Sequence, residues 1–271
     1  MGSLLDTVHD ITAQGQESAT AAFVSALSAV AAGATELGGS PGAVTLSTDQ
    51  IPTLADGRLS GRASWIAPIA ADAIAIVAGK SREGLVACAV ALDAPGVTIE
   101  PIQTSALRGL SFGHASFDNA PCTVLGQTTG LMAKVRVLLA AAALGMGRRA
   151  LREGLEALHA QEGRPQGAGG EQTVQGLLAD AATELEAAAV LIEKAASTET
   201  PSLADASMAK LAATEATQRA VSRVTQVVGA DSFTADHIVE RLAQDVRALE
   251  LFAGRTEALR EAIAAEVLPE A

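Results

Sequence analysis

From about residue 128 onward, apolar side chains recur with the period of an α-helix. One helical face of the second block is apolar at seven positions: Leu177, Leu178, Ala181, Leu185, Ala188, Leu191 and Ile192. Breaks rich in Gly, Pro and Ser divide this half of the chain into four blocks: residues 129–161, 171–197, 203–228 and 234–266. Ser202 is the expected N-cap of the third helix, and Thr234 or Asp236 that of the fourth. Short connections between four amphipathic helices predict an antiparallel four-helix bundle.

The pattern changes between residues 44 and 126. Here Gly, Pro and Asp separate short apolar or alternating runs such as GLVACAVALDA, GVTIEPI and LSFGHASFDNAP. This spacing is typical of strands in a sandwich or barrel. Residues 1 to about 37 are alanine-rich and helix-like, and they end at the turn signal LGGSPG. The sequence therefore predicts an α+β protein with short N-terminal helices (1–43), a β-barrel-like middle domain (44–127) and the C-terminal bundle (128–271).

Composition narrows the classes of partner and compartment. The 271 residues carry a net charge of −12, whereas nucleic-acid binding normally needs a basic face. The first ten residues hold two acids and no lysine or arginine, so they lack the pattern of a secretory signal. The longest apolar run lies between Arg136 and Arg148 and is too short to span a bilayer. We expect a cytoplasmic protein with no nucleic-acid or membrane partner.

The surrounding sequence does not support two possible sites, a metal or disulfide site and a dinucleotide-binding loop. Cys88, Cys122 and the four histidines are too dispersed in sequence to predict a metal site or a disulfide, so the thiols are expected to be free. GMGRRA, at residues 145–150, fits the G-x-G-x-x-A pattern of a dinucleotide-binding loop. No strand precedes it, so we favour glycines that let two helices approach closely, with the phosphate-binding loop as the alternative.

A series of segments, in the correct order, resembles the acyl-CoA dehydrogenase family between residues 42 and 266. GRASWIAP, followed by Ala71 and Asp72, resembles the family's G-x-K-x-W-I-[ST]-N and A-D; it contains Trp65, the only tryptophan in the chain. DAPGVTIEPI and ASFDNAPCTVLG resemble the end of the β-domain. AAAALGMGRRALREGLE, QTVQGLLADAATELEAA and MAKLAATEAT resemble the first three bundle helices. TQVVGADSF is similar to Q-x-x-G-G-x-G, and QDVRALELFAGRTEAL to R-D-x-R…I-Y-E-G-T.

The resemblance implies a cofactor and a reaction. Members of the family hold FAD between the β-domain and the bundle, usually in a dimer of dimers, and a neighbouring subunit grips part of the nucleotide. They oxidise the Cα–Cβ bond of acyl thioesters: a glutamate takes the α-proton and flavin N5 accepts the β-hydride. Five residues match FAD-contacting positions of the family: Trp65, Ile66, Arg164, Gln226 and Gly229.

The family's catalytic glutamate has no counterpart in this chain. In most members it precedes the glycine that matches Gly254, where this chain has Ala253. Other members carry it on the first bundle helix, before an arginine, where this chain has Val135 before Arg136. Neither side chain can accept a proton, as a general base must. Glu250, one helical turn before Ala253, could substitute only if the site were rebuilt.

Other departures from the family's motifs also argue against a chain that is catalytic by itself. Several family residues near the flavin are replaced, at the positions of Ala67, Ala230, Ser232 and Arg255. The Phe-Gly that should follow Arg164 is absent, and most of the N-terminal helical domain that builds the acyl pocket is missing.

These features favour a non-catalytic subunit of a heteromeric acyl-CoA dehydrogenase. A full-length homologue would supply the glutamate and the acyl pocket for an acyl-CoA thioester. FAD would be shared with that partner, and Arg164, Gln226 and Gly229 could hold its diphosphate. Two alternatives remain: a divergent FAD-dependent oxidoreductase that acts alone, and a flavin-free scaffold with the same fold.

Overall fold

A computed structural model describes residues 3–34, 42–45, 50–70, 72–160 and 171–268; Arg164 lies outside these residues. Two helices come first, α1 (Leu4–Glu17) and α2 (Ala19–Ala34). Eight strands follow: β1 (Gly42–Thr45), β2 (Thr53–Ala55), β3 (Arg58–Ile66), β4 (Ile74–Ser81), β5 (Gly84–Ala91), β6 (Val97–Ile102), β7 (Phe112–Pro121) and β8 (Thr123–Gln127). The C-terminal helices are α3 (Thr128–Ala160), α4 (Glu171–Ala196), α5 (Leu203–Val228), α6 (Ile238–Leu251) and α7 (Thr256–Val267), with a 3₁₀ turn at Gly229–Phe233 after α5.

The eight strands form one open sheet in the order β6-β7-β3-β2-β4-β5-β8, with β1 beside β4. Most pairs are antiparallel; β1 and β2 pair with β4 in parallel. The pairing of β3 with β7 is irregular between Ala63 and Ile66, so the chain leaves the regular ladder just where Trp65 lies. The predicted α+β class, with N-terminal helices, a β middle region and a C-terminal helical bundle, is confirmed.

The first three bundle helices lie within one residue of their predicted bounds, and the Ser202 hydroxyl caps α5 by accepting from the Asp205 N–H at 3.0 Å. The fourth prediction was wrong in two ways. The helix begins at Ile238 and is capped by His237, whose Nδ1 accepts from the Val239 N–H, rather than by Thr234 or Asp236. It is also broken in two, because Ala253 and Gly254 have φ values of +55° and +109°, which no right-handed helix accommodates.

The glycines of GMGRRA lie inside α3 and serve close packing, as predicted. A Cβ on Gly15 of α1 would lie 2.9 Å from the Cα of Gly145, closer than real Cβ atoms approach another atom. The two helices therefore touch backbone to backbone. Gly147 leaves similar room for Thr217 of α5, whose hydroxyl donates to the Ala143 carbonyl at 2.8 Å.

Helix α3 is the centre of the core. Among the described helices, α3 is the one with an 18-residue window apolar enough to cross a membrane. That window is longer than the apolar run between Arg136 and Arg148 that the sequence showed. However, 78% of that window is buried inside the protein. Its apolar side chains therefore pack against α1, α2, α4 and α5.

The two free cysteines, 34 positions apart by number, come together in the sheet. Cys88 is buried on β5, and Cys122 is half-buried just before β8, close enough for their thiols to hydrogen-bond. Burial raises the pKa of both, that of Cys88 to about 12. Thiols that stay protonated are poor nucleophiles and metal ligands, so the pair fits the expected structural role.

Candidate functional site

The segment between α6 and α7, here called the 252–255 loop, is held by two buried cations. Arg136 of α3 donates from Nε to the Ala253 carbonyl at 2.9 Å and from Nη1 to the Ser207 hydroxyl at 2.7 Å. Lys210 of α5 donates from Nζ to the carbonyls of Gly254 at 2.8 Å and Glu250 at 3.0 Å. These donors satisfy carbonyls at the end of α6, where the helix dipole also favours positive charge.

The two cations are costly to bury side by side. Desolvation and, to a smaller extent, the charge of Arg136 lower the pKa of Lys210 to about 7, while Glu250 acts in the opposite direction. Desolvation also lowers the pKa of Arg136 to about 10. Such a cost, together with two left-handed residues, is typical of a loop whose shape matters for function.

None of the three candidate base positions offers a free carboxylate. Ala253 is half-buried and carries only a methyl group, and Val135 is 2% exposed on the buried face of α3. The Glu250 carboxylate accepts from Thr256 Oγ1 at 2.8 Å and from Gln218 Nε2 at 2.5 Å. Its hydrogen bonds therefore bind α5, α6 and the start of α7 together.

Phe252 of the 252–255 loop forms an aromatic cluster with two phenylalanines from other elements. The ring centroids of Phe23 (α2) and Phe252 are 4.9 Å apart, and those of Phe252 and Phe112 (β7) are 5.6 Å apart. Phe23 is completely buried and Phe112 is 2% exposed. The cluster therefore fills the junction of the N-terminal helices, the sheet and the bundle.

Trp65 lies at the edge of this cluster. Its indole meets Phe112 and His114 edge to face, at centroid distances of 6.5 and 5.8 Å. The residue has φ +60° and is nevertheless 46% exposed. Much of the indole surface is thus left open to solvent. The next residue, Ile66, is fully buried in the core of the sheet, so its side chain is not open to a ligand.

Two further predicted cofactor residues lie at the end of α5. Gln226 is exposed, and Gly229 has φ +78° with nothing within 4 Å of the place a Cβ would occupy. The end of α5 packs on the 3₁₀ turn and α6, whereas β3, which carries Trp65, packs on neighbouring strands. The predicted cofactor residues that the structure describes thus fall into two groups, one on the sheet and one on the bundle.

Comparison with known proteins decides the family. Residues 125–268 match the family model described as "Acyl-CoA dehydrogenase, C-terminal domain". The chain belongs to the acyl-CoA dehydrogenase family.

Individual relatives agree with this assignment. The chain is 33% identical over 193 residues to a 3-sulfinopropanoyl-CoA desulfinase of Paraburkholderia xenovorans, covering 65% of this chain and 49% of that protein. It is 29% identical over 230 residues to a benzylmalonyl-CoA dehydrogenase of Aromatoleum aromaticum, covering 77% and 60%. The structure of butyryl-CoA dehydrogenase from Megasphaera elsdenii has the same fold, with a TM-score of 0.85 at 19% identity over 98% of this chain and 82% of that one. The chain spans about half the length of the first of these curated relatives.

The sequence analysis of this acyl-CoA dehydrogenase homologue did not predict the role of Lys210 in the site. Lys210 is fully buried, and it occupies a face of α5 shared with Ala206, Ala209 and Ala213. A lysine at the i+4 position of a buried alanine face is a visible signal that its charge meets a partner inside the fold. The partners themselves are carbonyls, and carbonyl positions leave no trace in a sequence pattern.

Proposed function

We propose that this chain is the non-catalytic subunit of a heteromeric, FAD-dependent acyl-CoA dehydrogenase, and that a full-length homologue supplies the catalytic glutamate. One observation carries the proposal. The 252–255 loop keeps its left-handed backbone and its buried cationic supports, yet the residue that it presents is Ala253. The loop has the supports of a catalytic loop without a group that accepts a proton.

The other candidate bases do not change this proposal. Val135 is apolar and buried. Glu250 is engaged by Thr256 and Gln218, so recruiting it would require breaking both hydrogen bonds. The homologous partner is therefore the source of the base in the proposed complex.

The acyl group is also assigned to the partner. Phe23, Phe112 and Phe252 pack together beside Ala253, so α2 fills the region next to the loop with side chains. Two cavities of the described residues, one at the turn between α1 and α2 and one between α1 and α4, include neither Ala253 nor Trp65 in their linings. An acyl-CoA thioester would then lie in the partner subunit.

The residues present fit FAD as two partial sites rather than one pocket. In the family, bound FAD accepts the hydride that leaves the substrate. The exposed indole of Trp65 offers an apolar surface for a planar ring, and the open space at Gly229 with the Gln226 amide suits a phosphate. These groups lie on different elements of the chain. Each partial site would be completed by the partner, which is how FAD would be shared.

The test is co-expression of this chain with each full-length acyl-CoA dehydrogenase of the same genome. We expect one partner to form a complex of fixed stoichiometry by size-exclusion chromatography with light scattering. That complex should carry bound flavin and oxidise an acyl-CoA. Replacing the partner's catalytic glutamate with glutamine should abolish turnover while the complex and its flavin remain.

Three results would overturn the proposal. Turnover that survives the partner's glutamine substitution would show that this chain supplies a base, as in the stand-alone alternative. A complex without flavin whose formation is indifferent to Trp65→Ala and Gln226→Ala would favour the scaffold alternative. A chain that binds no full-length homologue would refute the heteromeric role directly.

A further inference from the structure

A second feature lies away from the 252–255 loop. A cavity of about 160 Å³, open to solvent on one side, is lined by the turn between α1 and α2, the loop between β6 and β7, α3 and α6. Three arginines from three different elements line it: Arg108, Arg149 and Arg241. Such a concentration of positive charge is notable in a chain with a net charge of −12.

The arginines differ in how far the protein satisfies them. Arg149 is engaged, since its Nε donates to Glu153 at 2.8 Å and its Nη1 donates to the Gln16 carbonyl at 3.3 Å. Arg108 donates only to neutral oxygens, the Ser105 carbonyl at 3.0 Å and the Gln244 amide at 3.2 Å. Arg241 is exposed, and among the described residues its guanidinium has no hydrogen-bond partner, although its charge acts on Asp245.

Two carboxylates also line the cavity, and both have other contacts. Asp245 accepts from the Leu107 N–H at 2.6 Å, and the charges of Arg241 and Arg108 act on it. Burial raises its pKa, while the Leu107 N–H and the two arginine charges act in the opposite direction. Glu17 also lines the cavity, but its side chain is 75% exposed and lies 3.8 Å from Arg152, an arginine that is not part of the lining. The lining therefore keeps an excess of positive charge.

The start of α2 adds hydrogen-bond donors to the same wall. Ala19 and Thr20, its first two residues, line the cavity, and its first turn contains no acidic residue. The first amides of a helix have no partner within the helix, and its dipole favours an anion at that end. Guanidinium groups with free donors and a helix start together suit a phosphate group.

We propose that this cavity binds the phosphate group of a small phosphorylated ligand. Its volume is close to that of a cavity that holds one benzene molecule, so a single phosphate group fits inside. Any larger part of the ligand would extend past the exposed side chains of Arg108 and Arg241 into solvent. The site is independent of the proposed acyl-CoA dehydrogenase role, because it shares no residue with the 252–255 loop.

Calorimetric titration of the whole chain with inorganic phosphate, pyrophosphate and ADP tests the proposal. We expect saturable binding that Arg241→Gln weakens about tenfold, as loss of a charged hydrogen-bond donor predicts. Arg247→Gln is the matched control: Arg247 is an exposed arginine on the same helix that does not line the cavity. Arg108→Gln provides a second variant from another element, and circular dichroism establishes that each variant is folded.

Either of two affinity patterns would support the site and identify the source of the phosphate. Equal affinities for inorganic phosphate and ADP would indicate a site for the phosphate alone. Tighter binding of ADP would indicate a nucleotide whose base and ribose contact the rim. The absence of saturable binding to all three probes would overturn the proposal. An equal loss in Arg247→Gln would do the same, because it would reveal attraction to general surface charge.

Discussion

Ala253 and Trp65 share an unusual backbone but present opposite side chains. Both are non-glycine residues with positive φ, +55° and +60°, and both adjoin the cluster of Phe23, Phe112 and Phe252. At Ala253, buried cations from α3 and α5 hold the loop, and the side chain is a methyl group. At Trp65, an irregularity in strand pairing holds the backbone, and a large indole is 46% exposed.

The comparison separates the shape of a site from its chemistry. A left-handed non-glycine residue costs about 1–3 kcal/mol and persists only when its surroundings enforce it. On the sheet, the enforced conformation still displays a side chain able to contact a ligand. On the bundle, the enforcing groups remain although the displayed side chain has no reactive atom. The protein therefore has an enforced backbone conformation on both sides but a large exposed side chain on only one.

The largest effect is expected for the support of the bundle side. Arg136→Met should lower the free energy of unfolding by about 2–4 kcal/mol, because it leaves the buried Ala253 carbonyl and Ser207 hydroxyl without their donor. Urea denaturation measures the change. Arg148→Met, on the same helix in a largely exposed ion pair with Glu186, should change it by less than about 1 kcal/mol. Equal losses would mean that Arg136 does not support the loop specifically.

Lys210 should make stability depend on pH. The pKa of Lys210 is about 7 in the folded protein and near 10.5 in an unfolded chain, so between these values the unfolded chain binds more protons. The free energy of unfolding should therefore increase as the pH is raised from about 7 towards 10.5. Lowering the pH over the same range should remove this contribution. From about pH 7 to about pH 8.5 we expect a rise of roughly 2 kcal/mol relative to Lys210→Met.

Urea denaturation of both proteins across this range measures that difference. The charged groups acting on Lys210 are Arg136 and Glu250. Arg136, with a pKa of about 10, stays charged throughout. Parallel stability profiles for the two proteins would refute the proposed titration of Lys210.

The break in the fourth helix can be tested at Gly254. Gly254→Ala should lower the free energy of unfolding by about 1–2 kcal/mol, because φ is +109° and the new Cβ would lie 2.9 Å from Nη2 of Arg136. Gly176→Ala is the control, since Gly176 lies in α4 with open space around it. That change should stabilise the protein by up to about 1 kcal/mol. A stabilising Gly254→Ala would contradict the strained loop.

The smallest effect is expected on the sheet side. Trp65→Leu should change the free energy of unfolding by less than about 1 kcal/mol, because nearly half of the indole is already in solvent. Trp65 is the only tryptophan, so its fluorescence reports on this position alone. Acrylamide should quench it readily in the folded chain. Strong protection from acrylamide would contradict an open contact surface.

The sequence predicted the regular elements well and the loops poorly. Helices α3 to α5 could be placed because their apolar period and the Ser202 cap are local signals. The 252–255 loop was hidden, since Leu251, Phe252 and Ala253 continue a helical pattern and only Gly254 departs from it. Its conformation depends on Arg136 and Lys210, which are distant in sequence. Long-range hydrogen bonds of this kind have no periodic signature.

The candidate site was predictable in part for the same reason. Motifs gave the positions of Trp65, Gln226 and Gly229, and comparison placed the chain in the predicted family. The order of the motifs carries no information on which side chains are exposed. Neighbouring residues of a strand face opposite sides, and the structure shows that Trp65 is the exposed one and Ile66 the buried one. The arginine-lined cavity was not foreseen, since its walls come from residues of four separate segments.

The close contact between α1 and α3 has a consequence for how the protein is made. Gln16 accepts a hydrogen bond from Arg152, 136 positions later, and Gly15 lies against Gly145. At about 5–20 residues per second, Arg152 is added roughly 7 to 27 seconds after Gln16. Throughout that interval Val8 and Ile11, which are buried in the finished protein, have no α3 to cover them. The nascent chain is therefore most open to chaperones and to aggregation until the first bundle helix has been synthesised.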